Sequence, residues 1–166
     1  MIRRAFITSL ILAALFVTNA ALAHAQTDPE TKAIQSYRLT EPVLQKITAA
    51  NRAWVAALKN DVAAQKQLEA DDDKSDDTQS LADMEKKLVK MPHMADALRS
   101  AGLSAHEYAT FEMCAFQASL VAGSEKSGQK VTNLPAGMQP ANVQFVKDHE
   151  KQIEAMNAAL QGGDSH

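Results

Sequence analysis

The chain has 166 residues, 46% of them hydrophobic, with 17 Lys+Arg against 20 Asp+Glu and a formal net charge of −3. Without Arg3 and Arg4 the balance is 15 basic against 20 acidic, about −5. That excludes the basic face that leads nucleic-acid recognition and the polybasic segment that an anionic membrane surface attracts. A single cysteine, Cys114, excludes an intramolecular disulfide, so the fold must be held by packing.

Residues 1–25 read as a secretory signal peptide. Arg3 and Arg4 form a positive start, Ala5 to Val17 is an apolar run interrupted by Thr8 and Ser9, and Ala23-His24-Ala25 is a cleavage signal, with Ala21-Leu22-Ala23 competing. The apolar run is shorter than the ~20 residues a membrane span needs. There is also no cysteine at the cleavage site to carry a lipid. The expectation is an exported protein, periplasmic or secreted, with no membrane anchor after cleavage and 141 residues from Gln26 to His166.

Residues 26–38 are polar and are expected to form a flexible lead-in to a helical domain over 39–161, with 162–166 as a tail. Thr40 is placed to cap a first helix and Pro42 suits its first turn. Leu44, Ile47, Asn51, Trp54 and Leu58 recur at three and four, widened by Ala50, Ala57 and Val62, which predicts one helix to about Leu68. Six of the nine residues of Glu69–Asp77 are acidic, giving a solvated linker.

From Thr78, the spacing of Leu81, Met84 and Leu88 predicts a second helix, ended or kinked at Pro92. A short helix over His93–Ser100 should stop at Gly102. Ser104 and Glu107 make a capping box opening the most apolar helix, to about Ala122. Its two apolar lines, Tyr108-Phe111-Ala115-Ala118 and Met113-Phe116-Leu120, predict a helix covered on several sides. Gly123 to Pro140 is a connection with apolar points at Val131, Leu134, Pro135 and Met138. The last helix starts at Pro140 and carries Val143, Val146, Ile153, Met156 and Leu160 to Gly162-Gly163. With no alternating run and no repeat at a solenoid period, the fold class is all-α: one bundle of four main helices plus a short helix after Pro92.

Candidate chemistry is sparse. Met91, His93 and Met94 offer thioether and imidazole ligands that suit copper, above all Cu(I); the same methionines also fit a core stripe crossing a kink. His106-Glu107 begins the zinc motif H-E-x-x-H, but Thr110 stands where the second His belongs. An EF-hand loop from Asp71 would place Asp76 and Ala82 at its Gly and Glu positions; one from Asp73 would place Thr78 and Met84 there. Neither fits. There is no haem attachment motif and no nucleophile elbow. Cys114, in a buried-looking apolar run, reads as a small hydrophobe. His106, Glu107, Glu112 and His149 have no spacing that demands acid–base chemistry, and surface positions account for them.

Three phrases occur together: Tyr37-Arg38-Leu39-Thr40; Gly102-Leu103-Ser104 with Glu107-Tyr108; and Leu134-Pro135-Ala136-Gly137 with Pro140-Ala141-Asn142-Val143 and Phe145-Val146. Their combination resembles a family of small exported all-helical proteins of Gram-negative bacteria, of unassigned activity. The resemblance implies location and fold and carries over no catalytic residue. Leu39-Thr40 also opens the L-T-x-x-Q motif of periplasmic stress chaperones, but Val43 occupies the Gln position. The sequence therefore points to a non-enzymatic exported module without a cofactor, binding an envelope or secreted protein through Val131, Leu134 and Met138. A copper-binding protein and a holdase-type chaperone are the alternatives.

Overall fold

A computed structural model describes residues 29–72, 80–129, 131, 134 and 138–160. The expected signal peptide at 1–25, residues 73–77 of the expected acidic linker and the tail at 162–166 lie outside the described residues; residues 69–72 of that linker are helical instead. Those described form eight helices and no strand: α1 (Pro29–Ser36), α2 (Glu41–Lys59), α3 (Val62–Asp72), α4 (Leu81–Lys90), α5 (Met94–Ala101), α6 (Ala105–Lys126), α7 (Pro140–Asp148) and α8 (Glu150–Leu160). The fold is all-helical.

The helices are more numerous than the periodicity suggested, because two breaks fall inside predicted apolar stripes and the lead-in adds a helix of its own. The first helix ends at Lys59, and Asp61 restarts the chain as α3: its carboxylate accepts the Ala64 amide at 3.0 Å, an N-terminal cap. At Pro92 the chain turns between α4 and α5, and α5 stops at Gly102, whose φ of +68° is the left-handed conformation that favours glycine. The last helix breaks at His149, whose ring stacks on Phe145 at 4.1 Å. Its Nδ1 lies 2.9 Å from the Phe145 carbonyl.

The lead-in is also helical. Gln139 donates to the Gln35 carbonyl at 2.6 Å, the Cys114 thiol lies 3.6 Å from the Ile34 carbonyl, and the Glu30 carboxylate takes the Leu81 amide at the start of α4. Ile34 and Tyr37 pack on the core. The predicted Thr40 position is right for the cap of α2, but the Thr40 side chain makes no capping hydrogen bond. The Ser104 half of the capping box is present: its hydroxyl accepts the Glu107 amide at 3.0 Å.

The packing closes a ring. α2 lies against α5 and α8, α5 against α4, α4 against α6, α6 against α7, and α7 against α8. Inside it, Leu44 and Ile47 of α2, Leu88 of α4, Leu98 of α5, Phe111 and Ala118 of α6, Val146 of α7 and Met156 of α8 form one apolar core. α1 lies on α6 and α3 continues from α2. Residues on such a ring gain from burial about 25 cal/mol per Å² of apolar area, and that apolar burial stands in for the disulfides this chain lacks.

Candidate functional site

The residues singled out for metal binding sit in different surroundings. Met94 is 2% exposed and belongs to the core. Met91, at the end of α4, is half-buried and packs on that core. His93 has left-handed backbone, φ +63°, and among the described residues it is the only non-glycine in that region. Its exposed ring places Nε2 3.0 Å from Asp61 Oδ2, tying the start of α5 to the α2–α3 break. The Asp61 carboxyl is held below its usual range, first by the Ala64 amide and then by His93. Trp54 strengthens the same corner by donating to the Pro92 carbonyl at 2.9 Å. Among the described residues no three His, Cys, Asp or Glu side chains converge as metal ligands.

The proposed partner residues Val131, Leu134 and Met138 are each half-buried and pack against the core. Residues 130, 132, 133 and 135–137 lie outside the described residues. The acid–base candidates are dispersed: His106 Nδ1 lies 2.7 Å from Glu85 of α4, while His149 stacks on Phe145. Cys114 is 4% exposed, and burial pushes its thiol up to about 11, which disfavours the thiolate needed for reactivity. It is a packing residue.

Two features of α6 differ from the sequence reading. The Met113-Phe116-Leu120 line is covered only at its start: Met113 is half-buried, but Phe116 is 55% and Leu120 52% exposed, one turn apart on the same face. Glu112, expected at the surface, holds its Oε1 out of solvent contact without a hydrogen-bond partner among the described residues. Burial pushes this carboxyl up to about 7.

An open groove of about 310 Å³ runs between α2 and α8, lined by Gln45, Thr48, Ala49, Arg52, Gln152, Ala155 and Met156. No described helix is long and apolar enough to cross a membrane. The chain matches no known protein family, no curated protein and no solved structure.

Proposed function

We propose that this chain is an exported, non-enzymatic helical protein that binds another protein of the envelope or the secreted fraction, and that the outward face of α6 makes the contact. The observation that carries the reading is the exposed pair Phe116 and Leu120, a turn apart on one face of α6, the longest described helix. Among the described residues the other large exposed hydrophobics, Val62 and Val89, stand alone on α3 and α4. Paired apolar side chains at i and i+4 are the anchors by which a helix face takes a partner. The half-buried Val131, Leu134 and Met138 act in this reading as the packed base of a neighbouring connection. The eight helices are read here as four legs, α2–α3, α4–α5, α6 and α7–α8, braced by α1: a four-helix bundle with three of its legs broken.

Photoreactive side chains at positions 116 and 120 test this in the native envelope and in the secreted fraction, with exposed Arg99 of α5 as the comparison site. The expected result is one discrete adduct shared by positions 116 and 120 and absent at 99. No adduct, or the same adducts from all three sites, would overturn the proposal.

A further inference from the structure

The interior where α6 meets α2 holds polar groups that an apolar core does not require. The Tyr108 hydroxyl donates to Asn51 Oδ1 at 2.8 Å, and both residues are buried. One turn further along α6 stands Glu112, half-buried as a residue but with its Oε1 out of solvent contact. Two polar atoms here, Glu112 Oε1 and Asn51 Nδ2, are buried and lack hydrogen-bond partners among the described residues. Glu112 lies near enough to act on Tyr108: after burial, its charge is the next cause that raises the Tyr108 phenol above its usual range.

Among the described residues no opposite charge offsets the burial of Glu112, since burial is the one cause behind its raised carboxyl, and several charges on the surrounding helices are engaged elsewhere. Glu85 of α4 holds His106, Lys147 of α7 holds Glu125, and Lys126 of α6 itself holds Glu150 of α8. Glu30 of α1 takes the Leu81 amide, and Asp96 and Arg99 of α5 hold one another. On α2, Lys46 donates to the Gly102 carbonyl and Arg52 lines the outer groove. A carboxylate so placed would face desolvation without a compensating charge.

We propose that Glu112 is a built-in proton switch of this fold: it keeps its proton while α6 is seated in the core, and giving the proton up loosens that seat. The sign follows from linkage. The carboxyl rises from an ordinary 4.5 to about 7 on folding, so its contribution is fully present below about 4.5 and is lost as the pH climbs through about 7. The exposed carboxyls of Asp61 and Asp83 are shifted the other way, by the Ala64 amide and the Ser80 hydroxyl first. Their contributions are lost as the pH falls through their lowered values, so the alkaline-side loss is specific to Glu112 among these three carboxyls.

Thermal melting of the full chain and of Glu112→Gln between about pH 5 and about pH 8 tests the switch. The wild-type midpoint should fall by several degrees across that span while the Gln variant stays level, so that the gap between them widens with pH. Parallel profiles would overturn the proposal. Carbon-13 spectra of glutamate carboxyls in the wild-type chain give an independent reading. One resonance should titrate near pH 7 and be missing from Glu112→Gln or, should that variant not fold, from Glu112→Met. Glutamates that all titrate in the ordinary carboxyl range would overturn it equally.

Discussion

Asn142 does more for this fold than its place in the sequence suggests. Its Oδ1 accepts the Leu39 amide at 3.0 Å and its Nδ2 donates to the Tyr37 carbonyl at 3.0 Å, so one side chain satisfies both edges of the extended segment ahead of α2. Asn142 is 3% exposed, which means that removing the amide leaves backbone groups unpaired away from water. Asn142→Ala should cost roughly 2–4 kcal/mol in urea denaturation, the sum of the unmade bonds; a loss under about 0.5 kcal/mol, typical of a surface change, would contradict the clip. The phrase Pro140-Ala141-Asn142-Val143 stood out in the sequence, but nothing local to it names Tyr37 and Leu39 as partners. Glu112 was unreadable for a related reason: a carboxylate one turn from a tyrosine looks like solvent-facing polarity until tertiary packing takes one of its oxygens out of water.

At the scale of the elements, the chain wrote its caps more reliably than its continuities. Gly102 stops α5 and Ser104 opens α6 as their residue types require. Ser104→Ala should destabilise by about 1 kcal/mol, and Ser104→Asp, which keeps an acceptor for the Glu107 amide, should restore most of that; equal loss in both variants would show that the hydroxyl's bond does not matter. The breaks within stripes were harder to read. Val62 continued the apolar spacing of α2, yet it is 63% exposed, because Asp61 starts a new helix and resets the rotation of everything after it. His149 hides its break the same way: its amide still donates to the Phe145 carbonyl at 3.0 Å, so only the bend separates α7 from α8. The outward line on α6 was legible as apolar but not as uncovered, since the number of neighbours around a helix is set by tertiary packing and not by its own composition.

At the scale of the molecule, the ring of helices explains how a chain with one cysteine maintains a core: each member of the ring covers the next, and Phe111, Leu44 and Ile47 fill the middle. The ring also contains a long-range stitch, because the bonds from Asn142 reach back 103 residues to Leu39 and 105 to Tyr37. Contacts that distant are late to form, since the intervening loop must be closed first. A chain truncated after Gly128 lacks α7, α8 and the clip, and should be cut by protease far faster than the full chain under the same conditions; equal resistance would show that the earlier helices close by themselves. In a protein made from its N-terminus onward, Asn142 follows the segment it locks by about a hundred residues of synthesis. The order of manufacture thus delays closure: the first helices wait, unlocked, until α7 has been made.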